Sequence, residues 1–272
     1  MPFSKAPADK DIIVLDVETK KSFEEVGGFE NREQLGVSYL GVYSYAQDKF
    51  FGFFEDDLKT FEDIVRVTNP TIVGFNTIHF DNPVIQPYMK DVKLADCEQV
   101  DILRLLEDEL GHRVKLDTVA QATLFANKSG DGLDAIRWYR EGDFESLAKY
   151  CIDDVRITRD VYEFGLRHGV VYYTSGGDKL PVKASWATGT TIREKLEEAF
   201  KKHEQIHIEY FEVAEDKDTE IIQRTIEIME MGSGNEFKAF CHSANDTLIF
   251  NVANVWDIEE TGNKFAHQDK MF

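Results

Sequence analysis

Two carboxylate residues, Asp16 and Glu18, stand directly after the apolar segment Ile12-Ile13-Val14-Leu15. That segment is short and rich in β-branched residues, which predicts a buried strand. Because side chains alternate between the two faces of a strand, both carboxylates point to the same side. At the end of so apolar a strand, two acids are either solvated or paired with cations. Hard divalent cations bind carboxylate oxygens, so the pair is a candidate half of a metal site.

A third acid, Asp81, closes the segment Asn76-Thr77-Ile78-His79-Phe80-Asp81, which follows a predicted strand at residues 71–75. The next residues, Asn82 and Pro83, are typical of the first turn of a helix. Two interpretations therefore stay open for Asp81. It joins the metal site, or Asp81 or Asn82 only caps the helix.

A fourth acid, Asp154, lies four residues after Tyr150 on a long predicted helix at residues 143–165, so the two side chains share one face. Leu147, Ile157 and Val161 fall on the same face, which predicts that it packs against the sheet. An acid on a helix is usually solvated, but a buried carboxylate requires a partner. Four acids from two strand ends and one helix converge only if the fold brings them together.

The elements around these residues predict an α/β fold. Strands are expected at residues 12–15, 37–45, 50–54 and 71–75, and apolar residues at helical spacing predict helices near residues 58–69, 103–110 and 116–123. This order indicates a central mixed sheet covered by helices on both faces.

A second domain is expected after the turn-rich segment Ser175-Gly176-Gly177-Asp178. We assign residues 1–174 to the α/β domain, residues 175–187 to a linker and residues 188–272 to a small β-rich domain. In the last part, a helix at residues 190–202 precedes four short strands separated by hairpin turns at residues 232–235 and 243–246.

Composition limits the functions of the chain. With 272 residues and a formal net charge of −20, it lacks the overall basic surface that grips many phosphates of a duplex. No apolar run reaches the roughly 20 residues of a membrane span, and no signal-peptide pattern opens the chain, so a cytoplasmic location without membrane association is expected. The three cysteines have no metal-ligand or disulfide spacing and are predicted to be buried, reduced thiols.

The three acidic segments resemble the three motifs of the DEDD, or DnaQ-like, 3'-5' exonucleases: Asp-x-Glu, Asn-x-x-x-Phe-Asp and Tyr-x-x-x-Asp. Tyr150, where another branch has histidine, places the chain nearer the DEDDy subgroup. Residues 113–133 are similar to the YprB-like exonucleases. The resemblance covers about residues 10 to 172 and implies an RNase H-like fold with a mixed five-stranded sheet flanked by helices.

The resemblance also implies a chemistry. Asp16, Glu18, Asp81 and Asp154 would hold two Mg²⁺ or Mn²⁺ ions, with Asp16 bridging them and Tyr150 orienting or helping to deprotonate a water molecule. The substrate would be a nucleic-acid 3' end, and the acidic charge favours single-stranded DNA ends over long tracts. The alternatives are a 3' exoribonuclease and a non-catalytic module that binds nucleic-acid ends or a protein.

Four further residues are candidates for contacts with the substrate: Asn76, His79, Lys115 and Lys128. For His79 the alternative is a loop residue bonded to backbone, and for the lysines it is simple exposure to solvent. Separately, residues 188–262 resemble WYL domains, which are small SH3-like barrels, through segments such as Phe237-Lys238-Ala239-Phe240. This resemblance implies a ligand for the C-terminal domain, and the alternatives are a packing role or a protein partner.

Overall fold

In the computed structural model, residues 10–124, 132–213 and 219–265 are described. The chain divides into two compact units. Unit 1 comprises residues 1–163 and 171–183, and unit 2 comprises residues 164–170 and 184–272. The segment that we assigned to a linker, residues 175–187, contains a strand at Asp178–Lys183 that pairs with Val170–Ser175. The boundaries of the two domains stay a prediction.

Unit 1 is built on the mixed five-stranded sheet that the family resemblance implies. Its strands are β1 (Ile12–Thr19), β2 (Val37–Ser44), β3 (Lys49–Phe53), β4 (Thr71–Gly74) and β5 (Gln99–Asp101), in the order β3-β2-β1-β4-β5. The first three strands pair antiparallel, whereas β4 and β5 run parallel to β1. The fifth strand was not assigned from the sequence because it is only three residues long.

Six helices accompany this sheet in the described part of unit 1: α1 (Leu58–Thr68), α2 (Asp81–Ile85), α3 (Ile102–Leu110), α4 (Leu116–Leu124), α5 (Gly132–Glu141) and α6 (Phe144–His168). Amphipathic spacing accounts for α1, which buries Leu58, Phe61 and Val65 against the sheet core. It ends at Asn69, whose φ of 40° is left-handed. The helix α5 was not predicted, because charged residues interrupt its apolar positions.

The helix after Asp81 differs from the expected one. It spans only five residues and begins at Asp81 rather than after an Asn82 cap, and no side chain caps its first turn. The prediction that Asp81 or Asn82 serves as an N-cap is therefore wrong. The carboxylate of Asp81 is instead directed towards β1.

Unit 2 has its own core. The hairpin of β6 (Val170–Ser175) and β7 (Asp178–Lys183) belongs to unit 1 except for Val170. After it, the chain of unit 2 forms α7 (Ile192–Lys202) and then the strands β8 (Glu204–Val213), β9 (Thr219–Met231), β10 (Glu236–Cys241), β11 (Asp246–Asn251) and β12 (Val255–Lys264). These five strands form an antiparallel sheet in the order β11-β10-β9-β8-β12. Ile192 and Leu196 of α7 pack in a buried cluster with residues of the sheet, such as Ile226 and Phe237. A small β-rich second domain is therefore present, with both predicted hairpin turns.

All three cysteines are buried free thiols, as predicted. Among the described residues, no helix has both the length and the apolar character that crossing a membrane requires.

Candidate active site

Asp16 and Glu18 lie on the central strand of the sheet of unit 1, where their side chains share one face. Glu18 is only 8% exposed, and Asp16 is partly buried. Asp16 pairs in register with Gly41 of β2. A Cβ atom at Gly41 would lie 2.9 Å from a methyl group of Val155 and 3.0 Å from the sulfur of Cys151. The missing side chain at position 41 thus lets α6 approach the face that carries the two acids.

Asp81 reaches the same strand from α2. Its Oδ1 accepts a hydrogen bond from the backbone N–H of Val17 over 3.0 Å, and its side chain is 2% exposed. Val17 is the residue between Asp16 and Glu18, so the third acid is tied to the strand that carries the first two. Burial, and then the nearby charge of Asp16, raise the pKa of Asp81 well above its ordinary value.

The helix α6 supplies Tyr150 and Asp154 from one buried face, as predicted. Tyr150 is 3% exposed and packs against the ring of Trp138, with the ring centroids 5.8 Å apart, and Asp154 is 2% exposed. Between them, the Cys151 thiol lies 3.4 Å from the carbonyl oxygen of Asp16 and 3.8 Å from its Oδ2. Burial, followed by the charges of Asp16 and Glu18, raises the pKa of the Cys151 thiol well above its usual range.

Four of these side chains line one cavity of about 360 Å³, whereas Asp81 and Cys151 are not among its lining residues. Its polar wall includes Asp16, Glu18, Tyr150 and Asp154. An apolar wall faces them, formed by Phe23, Leu35, Phe80, Leu133 and Ile136. The cavity therefore combines crowded carboxylates with a surface suited to a flat, apolar group.

The donor set fits divalent cations. Ligand atoms of Asp16, Glu18 and Cys151 all lie within 4.8 Å of one another. Burial, and then the charge of Asp16, raise the pKa of the neighbouring Asp81, and a divalent cation bound among these carboxylates would offset both costs. Carboxylate oxygens suit Mg²⁺ and Mn²⁺ in particular.

The other candidates from the sequence lie elsewhere. Asn76 and His79 belong to the turn between β4 and α2, where the side-chain oxygen of Asn76 accepts a hydrogen bond from Arg113 over 2.7 Å. His79 and Lys115 are exposed. Within the described ranges, none of the three lines the cavity, and their contacts with a substrate stay a prediction. Lys128 lies outside the described residues.

Asp101 is a residue of the site that sequence reasoning missed. It is 2% exposed, and its Oδ1 accepts hydrogen bonds from the N–H groups of Asn76 and Arg104, over 2.9 and 3.2 Å. Its Oδ2 accepts another from the N–H of Ile78 over 3.0 Å. Asp101 therefore fixes the turn that leads to Asp81. An acid directly before the apolar start of α3 is an N-cap pattern that could have indicated part of this role.

Comparison with known proteins supplies the family. The sequence description of the RNase H superfamily matches residues 15–164, which is more than half of the chain. The chain belongs to the RNase H superfamily. The matched region contains Asp16 and Glu18 of the central strand and the whole of strands β2 to β5. Among curated proteins, no sequence matches the chain.

Several solved structures are similar at low identity. The E. coli exonuclease I complex with single-stranded DNA, in a zinc-bound form, matches with 10% identity and a TM-score of 0.32, over 85% of this chain and 54% of that one. The E. coli exonuclease I complex with a dA16 oligonucleotide matches with 8% identity and a TM-score of 0.32, over 86% and 55%. Proteasome accessory factor B/C of Arthrobacter aurescens matches with 18% identity and a TM-score of 0.23, over 56% and 21%.

The chain thus spans less than two thirds of the length of each of these three proteins. Because the TM-scores lie below 0.5, these three structures carry no conclusion about function.

Proposed function

We propose that this member of the RNase H superfamily is a metal-dependent 3'-5' exonuclease. The observation that carries the proposal is the convergence of Asp16, Glu18, Asp154 and Tyr150 on one cavity, with Asp81 bonded to the same strand. The four acids come from three elements that are far apart in sequence. A set of buried acids that served stability alone would be costly, because each ionised group loses water and repels its neighbours.

The acids would hold two Mg²⁺ or Mn²⁺ ions, with Asp16 central because its carboxylate lies near both Glu18 and Asp81. When bound, such ions lower the pKa of a coordinated water molecule and stabilise negative charge on the phosphate oxygens. Cys151 adds a thiol beside this site, but its hydrogen bond to the carbonyl of Asp16 gives it a structural role as well.

Tyr150 is placed to act on the attacking water. Its side chain lines the cavity beside Asp154, and its ring is held against Trp138. A phenol in this position would accept a hydrogen bond from water, or donate one to a phosphate oxygen, and so orient the reactants. The apolar wall opposite, which includes Phe23 and Phe80, would hold the base of the terminal nucleotide.

The volume of the cavity supports hydrolysis at the end of a nucleic-acid strand. A volume of about 360 Å³ suits a ligand of the size of one nucleotide. The net charge of −20 also limits how many phosphates the surface can bind, which favours single-stranded ends over long duplex tracts. Single-stranded DNA is our preferred substrate, and RNA 3' ends are the alternative.

The decisive experiment uses 5'-labelled single-stranded DNA and RNA oligonucleotides with Mg²⁺ or Mn²⁺. We expect a ladder that shortens from the 3' end, and we expect EDTA, Asp16→Ala and Asp154→Ala each to abolish it. Asp153→Ala is the matched control, because Asp153 neighbours Asp154 but forms an ion pair with Arg156. Cleavage that persists in Asp16→Ala, or internal products from the wild type, would contradict the proposal. A folded protein that cleaves neither oligonucleotide would favour a nucleic-acid or protein-binding module.

We further propose that the β-rich domain of unit 2 serves a protein partner or a ligand, following its resemblance to WYL domains. Membership in the YprB-like subgroup, the SH3-like barrel and the cytoplasmic location likewise stay predictions.

A further inference from the structure

A second cavity adjoins the one that holds the acids. It has a volume of about 400 Å³ and shares Ser22, Leu133 and Ile136 with the first cavity. Its other lining residues are Glu25, Arg137, Arg140 and Glu141. A chain molecule whose end lies among the acids can therefore continue past the three shared residues into the second cavity.

The two arginines of this second cavity project from α5. Arg137 and Arg140 have side chains that are 57% and 51% exposed, although each is held by an acid. Asp134 lies 2.9 Å from Nη2 of Arg137, and both carboxylate oxygens of Glu25 lie within 2.8 Å of Nη2 of Arg140. In the described part of the chain, these ion pairs use Nη2 alone. The Nη1 and Nε groups are the remaining donors, and a guanidinium can bind phosphate through two such N–H groups at once.

One acid of the second cavity, Glu25, is held by hydrogen bonds from both a main-chain N–H and a cation. The hydrogen bond from the backbone N–H of Ser22, and then the one from Arg140, lower the pKa of Glu25, so its negative charge is stabilised. The two arginines also balance the two glutamates that line the cavity. Equal numbers of positive and negative charges therefore line the second cavity, directly beside the acids of the first, and one further acid, Asp134, pairs with Arg137. A polyanion that enters the acidic site would meet least repulsion along this path.

We infer that the second cavity binds the phosphodiester backbone immediately upstream of the 3'-terminal nucleotide, through Arg137 and Arg140. This inference rests on the proposed exonuclease function and gives the site a footprint of more than one nucleotide. The ligand class is a single strand of nucleic acid: each arginine would contact one phosphate, and Leu133 and Ile136 line both cavities.

The test compares two substrates that differ only in whether an upstream strand is present. The 4-nitrophenyl ester of thymidine 5'-monophosphate offers one nucleotide and a scissile phosphodiester, whereas a single-stranded tetranucleotide also fills the second cavity. For Arg137→Ala/Arg140→Ala, we expect KM for the tetranucleotide to rise about tenfold, with kcat little changed. The ester should be cleaved as by the wild type.

Arg66→Ala is the matched control, because Arg66 pairs with Asp63 three residues earlier, as Arg137 does with Asp134, but lies on α1. Its KM for both substrates should equal that of the wild type. Equal effects of the double variant on both substrates would overturn the inference, because they would place the arginines at the terminal nucleotide. An unchanged KM for the tetranucleotide would also overturn it.

Binding without metal tests the inference independently of hydrolysis. By fluorescence anisotropy in EDTA, the double variant should bind a labelled single strand about tenfold more weakly than the wild type or Arg66→Ala. The dependence of log Kd on log salt should become shallower by about 1.4, since each lost phosphate contact on a single strand contributes about 0.7. Equal binding and equal salt dependence would overturn the inference. If the wild type binds in this way but hydrolyses neither substrate, the exonuclease proposal fails while the strand-binding cavity stands.

Discussion

The carboxylate of Asp81 accepts a hydrogen bond from the N–H of Val17, the residue between Asp16 and Glu18 on β1. This bond fixes the third acid relative to the first two through the backbone, so it does not depend on a metal. The turn that delivers Asp81 is in turn held by Asp101, which accepts hydrogen bonds from Asn76 and Ile78. Two sets of hydrogen bonds from main-chain N–H groups therefore position Asp81. One is accepted by Asp81 itself, and the other is accepted by Asp101, which holds the turn before Asp81.

The first prediction concerns Asp101→Asn. One oxygen would be replaced by an NH₂ group, which faces a main-chain donor, so the turn before Asp81 should shift. We expect a loss of about 2 kcal/mol in the free energy of unfolding. We also expect kcat to fall about 100-fold, because small displacements of catalytic groups are costly. The apparent affinity for Mn²⁺ should weaken as well.

The matched control for this prediction is Asp11→Asn. Asp11 is also buried and accepts two hydrogen bonds, from Ser44 and the N–H of Ala46, where Asp101 accepts three, but it lies just before β1 rather than near the acidic site. Its stability loss should be similar, with Mn²⁺ affinity unchanged. Equal Mn²⁺ affinities in the two variants would show that Asp101 has a structural role alone.

A second prediction concerns stabilisation by metal. Mn²⁺ should raise the Tm of the wild type, because an ion bound only by the folded state stabilises it. Asp16→Asn and Asp154→Asn should each lose this increase. Without metal, Asp16→Asn should be about 1 kcal/mol more stable than the wild type, since one of the crowded negative charges is gone. Differential scanning fluorimetry with and without EDTA measures both effects. Asp153→Asn should behave as the wild type, and a full Mn²⁺ response in Asp16→Asn would refute the assignment.

A third prediction concerns His168 in unit 2, whose ring stacks on Phe164 with centroids 3.9 Å apart. Burial lowers the pKa of His168 from 6.5 to about 4. Between these values the unfolded chain binds a proton that the folded chain does not, so stability falls as pH decreases from about 6.5 towards 4. In urea titrations between these pH values, the free energy of unfolding of the wild type should fall by about 2 kcal/mol more than that of His168→Gln. Parallel pH dependences for the two proteins would contradict the prediction.

A fourth prediction concerns Gly41→Ala. The added methyl group would press on Cys151 and Val155, so α6 must move away from β1. We expect a loss of about 2 kcal/mol in stability and a lower kcat, because Tyr150 and Asp154 move with the helix. Gly189→Ala is the control, since a Cβ atom there has no neighbour within 4 Å among the described residues. Full activity in Gly41→Ala would show that the helix tolerates the displacement.

The periodic spacing of apolar residues along strands and helices predicted much of unit 1 from the sequence. The alternation along β1 correctly put Asp16 and Glu18 on one face, and helical spacing put Tyr150 on the buried face of α6 with Asp154. The three-residue strand β5 is too short for any period to show. The position of Asp81 could not be derived either, because a proline-containing helix start looks the same whether the preceding acid caps it or reaches another strand.

Tertiary contacts explain what else was missed. Asp101 gained its role from the turn at Asn76 and Ile78, which is 23 to 25 residues away in sequence. The hairpin of β6 and β7 lies where glycine-rich composition suggested a linker, yet Thr123 exchanges two hydrogen bonds with the backbone of Tyr172 in β6. Neither interaction leaves a periodic trace in the sequence.

The thiol of Cys151, buried between α6 and the strand of Asp16, offers a direct measure of how often the site opens. A thiol-specific reagent can modify this sulfur only when the helix separates transiently from β1. In a protein whose other two cysteines are replaced, the labelling rate would give the population of the open state. A ligand that joins the helix to the strand would slow the labelling, so occupancy of the acidic cavity becomes measurable without any turnover.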